Sequence, residues 1–164
     1  VLGPEEVKVV MPGVPEPLSP PEVGEARGIR PLAFVDVGVP HFVVLTDDIR
    51  AVDVNELGRR YRSHPAFRHG ANVDFIQVSG PHSLAVRTYE RGVEAETLAC
   101  GTGAVASVAA ATWAGLVEPP VEVAFPGGTA KVGLSAERIE LSGPAHLVFR
   151  GELELRRHPS QYGE

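Results

Sequence analysis

The sequence predicts an α+β fold in which a mixed, barrel-like β-sheet wraps around one central alanine-rich helix. Three observations predict it. Residues 102–116, TGAVASVAAATWAGL, carry no charge, and a helix that is apolar all round is a buried one. Apolar, β-branched or alternating runs recur on both sides of that segment, as strands do. Glycine and proline punctuate the gaps between most of those runs.

Each element follows in order. EEVKVVMPG, from Glu5, reads as a strand. Residues 11–31 hold six prolines, which predicts a linker or long surface loop. LAFVDVG and HFVVLT flank the turn Gly38-Val39-Pro40 and predict two strands or one bent strand. DVNELGRRYRSH places Asp53 as an N-cap with Glu56 three residues on, the capping-box pattern of a short surface helix. NVDFIQV and SLAVRTYE alternate as strands. The central helix follows, at ~1.5 Å per residue roughly 20 Å long and too short to span a bilayer, with Gly115 as its terminator. VEVAF, TAKVGLS, RIELSG and HLVFRGELEL predict four further strands, and residues 157–164 a frayed tail.

The 164 residues suit one domain with a core. A net charge of −6 with no basic block argues against a nucleic-acid footprint and against a polybasic membrane patch. No signal peptide and no bilayer-length apolar run are visible. The single cysteine excludes an internal disulfide and any multi-cysteine metal site, and a free thiol suits a reducing cytoplasm. The chain starts at Val1 and enters a strand pattern at once. It reads as entered in mid-fold, as a processed product or a fragment would.

That one cysteine, Cys100, lies in ETLACGTGAVA, where the central helix begins. A helix start leaves backbone N–H groups unpaired and carries partial positive charge. A thiol placed there is expected to be partly exposed, with a lowered pKa, usable as base or nucleophile. Gly101 and Gly103 let N–H groups approach an anionic ligand, and Thr102 adds a hydroxyl. The competing reading is an inert, buried cysteine. Upstream, RTYERG puts Glu90 and Arg91 at a strand end, a surface pair unless they serve a site. His41, in GVPH, sits at a strand edge, and Asn72 stands just before a strand.

From about Phe34 to Glu152 the chain resembles the C-terminal half of the diaminopimelate epimerases. FVDVGVPHFVV, HPAF, GANVDF, VRTYERG, ETLACGTGA, FPGG and SGPAHLVFRGE occur in the family's order. The resemblance implies an isomerase of lysine and peptidoglycan-precursor biosynthesis that interconverts LL- and meso-diaminopimelate without a cofactor or metal. It implies a pseudo-symmetric enzyme of two similar α+β halves with the site between them, each half bringing one cysteine at a helix N-terminus. The implied partners are this small-molecule substrate, the enzyme's own N-terminal half and a second copy in a homodimer. Cys100 matches the C-terminal cysteine and Glu90 the carboxylate that supports the bases. His41 matches the histidine that assists the partner cysteine. Arg91 and Asn72 match ligands of the substrate's distal end, and Gly101 and Thr102 match donors to its α-carboxylate. On this reading residues 1–31 are a crossover strand and proline-rich linker, 32–156 the epimerase-like domain, and 157–164 a tail.

Three departures stand out. Val39 occupies a place where many members carry asparagine. Val93-Glu94-Ala95-Glu96 is one residue longer than the commonest spacing, which predicts a re-shaped loop before Cys100. The N-terminal half and its cysteine are absent. Other readings are a cysteine hydrolase using Cys100 with His41, a non-catalytic anion-binding domain, and a related fold of the proline-racemase or phenazine-pathway kind.

Overall fold

A computed structural model describes residues 5–13, 15–24 and 26–153. Among these, nine strands form one sheet: β1 (Glu5–Pro12), β2 (Ile29–Asp36), β3 (Pro40–Thr46), β4 (Asn72–Gly80), β5 (Ser83–Glu90), β6 (Ala95–Thr97), β7 (Val121–Phe125), β8 (Gly128–Leu134) and β9 (Arg138–Ala145). Two α-helices accompany them, α1 (Val54–Arg62) and α2 (Gly101–Trp113). Strand order is β1-β9-β8-β7-β5-β4-β3-β2, with β6 paired to β5 off this path. The sheet is mixed, with parallel pairs β3–β4 and β5–β7.

The barrel is not closed. β1 and β2 are the two ends of the sheet and do not pair with each other among the described residues. The sheet curls enough for α2 to touch β2, β3, β4 and β5 on one side and β8 and β9 on the other. A helix of alanine, glycine, serine and valine is thin enough for that: residues 103–111 are all buried.

Each parallel pair is a strand–helix–strand crossover, and the two helices lie on opposite faces of the sheet. α1 joins β3 to β4, and α2 joins β5 and β6 to β7. Strand periodicity then sorts the side chains. Phe42, Val44, Val73, Phe75 and Tyr89 pack with Tyr61 of α1. Val43, Ile76, Leu84 and Val86 pack with α2. Burial on both faces explains why HFVVLT is continuously apolar rather than alternating.

α1 is short and relies on its cap and one apolar face. The Asp53 carboxylate accepts from Glu56 N–H at 3.0 Å, and Val54, Gly58 and Tyr61 are buried. Gly58 lies so close to β5 that a Cβ would overlap the Tyr89 side chain. Arg59, Arg60 and Arg62 occupy the last turn, where cations suit the helix dipole.

Three differences from expectation have physical causes. The proline-rich segment is framed by strands that reach further into it, since β1 runs to Pro12 and β2 starts at Ile29. Leu18 also bridges Phe34 through two backbone hydrogen bonds of 2.8 and 2.9 Å. β6 is additional: its three residues carry no strand periodicity and are held by pairing with β5. The strand expected across HLVFRGELEL is absent over 146–153, where Leu147, Val148 and Phe149 stand exposed without a pairing partner among the described residues. The rest of that run, and the tail, lie outside the described residues.

Candidate active site

Parity along the strands gathers a polar cluster at one end of the α2-facing core. His41 shares a face of β3 with Val43, and Asn72 and Asp74 share a face of β4 with Ile76. Thr88 and Glu90 share the corresponding face of β5 with Leu84 and Val86. Register completes the grouping: His41 lies opposite Asn72, and Asp74 opposite Thr88. The N-terminus of α2, with Cys100, packs at this same end.

Cys100 is the N-cap of α2, with extended backbone (φ −134°, ψ 110°). Its Sγ accepts from Gly103 N–H at 3.4 Å and lies 3.5 Å from Thr102 Oγ1. The sulfur thus takes the place an N-cap oxygen usually fills. Gly101 is exposed and Thr102 half-buried at the front of this turn. Gly103 faces inward, and a Cβ there would come within 2.6 Å of Asp74 Oδ1.

The expected exposed, low-pKa thiol is not what forms. Cys100 is buried, only 7% exposed. Burial pushes its thiol up from 9.0 to about 11, and the Asp74 and Glu90 carboxylates add to the rise. The Thr102 hydroxyl and the Gly103 N–H oppose it and are outweighed. Desolvation and two negative neighbours win over the favourable helix terminus.

His41 and Asp74 are completely buried, and His41 Nδ1 lies 2.6 Å from Asp74 Oδ2. Asp74 Oδ1 accepts from Thr88 Oγ1 at 2.8 Å. His41 Nε2 lies 3.3 Å from Asn72 Nδ2, and Asn72 Oδ1 accepts from Arg91 N–H at 2.8 Å. Asp74 is the residue that sequence reasoning missed. Its signal was available: an acid on the same phase of β4 as the apolar Ile76 and Val78.

Glu90 ends β5, and its Oε1 accepts from Thr97 Oγ1 at 2.6 Å. The turn after it has Gly92 at φ 94° and Glu94 at φ 59°. A left-handed glutamate is uncommon. Here the Glu94 carboxylate accepts from Gly92 N–H at 3.0 Å and from Arg62 Nε at 2.8 Å. The Arg87 guanidinium clamps Glu96 of β6 through two bonds of 2.7 Å and donates to the Ile49 and Val52 carbonyls. FPGG also reaches this approach, as Gly127 N–H donates to Leu98 O at 2.8 Å.

The structure thus gathers Cys100, Glu90, His41, Asn72, Gly101 and Thr102 around one helix terminus. The Arg91 side chain points elsewhere. Its Nη1 donates to His69 O at 3.0 Å, and it lines a cavity of about 660 Å³ with Phe34, Phe67, Arg68 and His69. Gly101 lines a different groove, of about 360 Å³, with Val7, Phe125 and Leu141. Among the described residues no group of three or more His, Cys, Asp or Glu side chains is placed to hold a metal ion. No helix among them is long and apolar enough to cross a membrane.

Residues 33–148 match the diaminopimelate epimerase family. The chain belongs to that family. The diaminopimelate epimerase of Methanocella arvoryzae is 43% identical over 122 residues, covering 74% of this chain and 43% of its own length. That of Aquifex aeolicus is 44% identical over 125 residues, covering 73% of this chain and 45% of its own length. The chain therefore spans a little under half the length of these curated relatives. A solved phenazine biosynthesis protein of the PhzF family from Enterococcus faecalis covers 92% of this chain and 58% of its own length, with a TM-score of 0.58 at 18% identity. That likeness concerns the fold alone. Within the diaminopimelate epimerase family, Cys100, Glu90 and the α2 start fall inside the matched segment.

Proposed function

We propose that this chain supplies one half of a cofactor-independent epimerase site that interconverts LL- and meso-diaminopimelate in the cytoplasm. The family match and the seat of Cys100 support the reading. The observation that carries it is a sulfur capping a buried helix, flanked by N–H groups at Gly101 and Thr102 that can receive an α-carboxylate.

The chemistry asks for two opposed groups. An α-hydrogen is a very weak acid, so the developing carbanion needs fixed electrostatic stabilisation. One sulfur removes the proton from one face, and the other delivers a proton to the opposite face. At neutral pH the raised Cys100 thiol is protonated, the form that delivers. Cleavage in the other direction requires its thiolate. The opposing sulfur and a second helix terminus would come from the N-terminal half, within a homodimer. Glu90 supports the sulfur, and the distal end of the substrate falls to Arg91 and Asn72, with Arg91 turning from His69 O toward the ligand.

The hydrolase reading finds no support in the geometry. Both His41 ring nitrogens are engaged, by Asp74 and Asn72, so His41 is not aimed at the sulfur as a nucleophile's base must be.

The test is to purify residues 1–164 alone and together with the N-terminal half, and to follow deuterium uptake from solvent at the α-carbon. The chain alone is expected to be inactive and the pair active. Turnover by the chain alone at the rate of the completed enzyme refutes the half-site argument.

A further inference from the structure

We propose that Asp74 is a positioning residue: its buried carboxylate locks His41 as the neutral Nδ1–H tautomer and sets a fixed negative charge behind the Cys100 sulfur. The reading above enters only in calling Cys100 the acid–base sulfur.

The hydrogen-bond chain assigns every proton. The Arg91 N–H can only donate, so the Asn72 atom it meets at 2.8 Å is the amide oxygen. That places the Asn72 NH₂ toward His41 Nε2, at 3.3 Å. An amide NH₂ donates, so Nε2 must accept and carries no proton. The single ring proton therefore sits on Nδ1 and donates to Asp74 Oδ2 at 2.6 Å. A protonated imidazolium would set two donors against each other at Nε2. With the Nδ1–H facing it, Asp74 Oδ2 has no lysine or arginine bonded to it among the described residues. Its other oxygen takes the Thr88 hydroxyl and lies against Gly103, in the first turn of α2.

The groups facing the sulfur are few. Asp74 of β4 and Glu90 of β5 carry negative charge, while Thr102 and Gly103 of α2 contribute a hydroxyl and an N–H. Asp74 is the fully buried member of the acidic pair, so solvent screens it least. Asp74 is completely buried, whereas Gly101 is exposed at the front of the turn. Asp74 acts through the sulfur and through His41.

The test needs no epimerase activity. In wild-type 1–164, the ¹⁵N resonances of His41 are expected to show a protonated Nδ1 and a bare Nε2 through the neutral range. A protonated Nε2 overturns the tautomer assignment, and this measurement requires no variant. The pH profile of Cys100 alkylation by iodoacetamide is then compared in wild type, Asp74→Asn and Glu90→Gln. The amide oxygen introduced by Asp74→Asn can still accept from Nδ1–H while the charge is lost. The profile of that variant is expected to move down by about one pH unit, roughly tenfold faster alkylation at pH 8.5, with a smaller move for Glu90→Gln. A folded Asp74→Asn with an unmoved profile overturns the proposal even if the epimerase reading stands. Failure of the completed enzyme to epimerise would sink that reading and leave these measurements untouched.

Discussion

Gly103→Ala tests whether the front turn of α2 is seated on Asp74. On helix propensity alone, alanine should gain up to ~1 kcal/mol over glycine, and less in a first turn. The site reverses that sign. A Cβ at position 103 would lie 2.6 Å from Asp74 Oδ1, 3.1 Å from Cys100 Cβ and 3.2 Å from Thr88 Oγ1. None of these can step aside freely, because Asp74 is tied to His41 and Thr88. Overpacking of a tight interior costs ~1–3 kcal/mol, so a net loss of about 2 kcal/mol is expected. For a domain of this size that lowers Tm by roughly 4–8 °C. Gly101→Ala is the control. Its Cβ would meet only the end of the Leu141 side chain, at 3.2 Å, and should change stability by less than ~0.5 kcal/mol. The assay is thermal or urea unfolding of both variants beside wild type. A Gly103→Ala chain as stable as wild type would show that α2 does not rest on the carboxylate.

Arg87→Ala should cost about 2–4 kcal/mol, since it abandons Glu96 and two loop carbonyls together. Arg30→Ala breaks only an exposed pair with Asp47 and should cost less than ~0.5 kcal/mol in the same denaturation series; equal losses would refute the distinction. Glu94 is held below the usual carboxylate range by the Gly92 N–H and then by Arg62. A lowered folded-state pKa gives stability that is present above the unfolded value of 4.5 and lost as pH falls through the folded one. Glu94→Gln should therefore flatten the acid limb of stability against pH, and an identical limb would count against the turn described. In the completed enzyme, Cys100→Ala should abolish epimerisation from either stereoisomer, measured by chiral chromatography; near-normal turnover in one direction would exclude the two-thiol mechanism.

Local signals in the sequence were legible where the physics is local. The Asp53 cap needs only its own first turn, and the uncharged run of α2 can only be an interior helix. The expectation of an exposed thiol with a lowered pKa failed for the opposite reason. It considered the helix that follows Cys100, while burial of the sulfur outweighs that helix terminus, and the carboxylates of Asp74 on β4 and Glu90 on β5 add to the rise. Periodicity could not reveal β6, which exists through its pairing with β5, nor decide closure of the sheet, which depends on whether β1 reaches β2. HLVFRGELEL has strand composition, but a strand also needs a neighbour, and composition does not supply one. His41, Asn72, Glu90 and Cys100 were found as candidates. Their assembly became visible only through the register of β3, β4 and β5.

The pairing of β1 with β9 has a consequence for the order of events on the ribosome. Lys8 and Glu140, which tie these strands together across the sheet edge, are 132 residues apart. At ~5–20 residues per second, β1 waits roughly 7–26 s for its ladder partner to be synthesised. Throughout that interval Val7, Val9 and Val10 lie on a strand whose β9 partner does not yet exist, and an open strand edge recruits other chains. They remain about half exposed even after pairing. Slowed translation before β9 lengthens that wait and should therefore lower the yield of this protein.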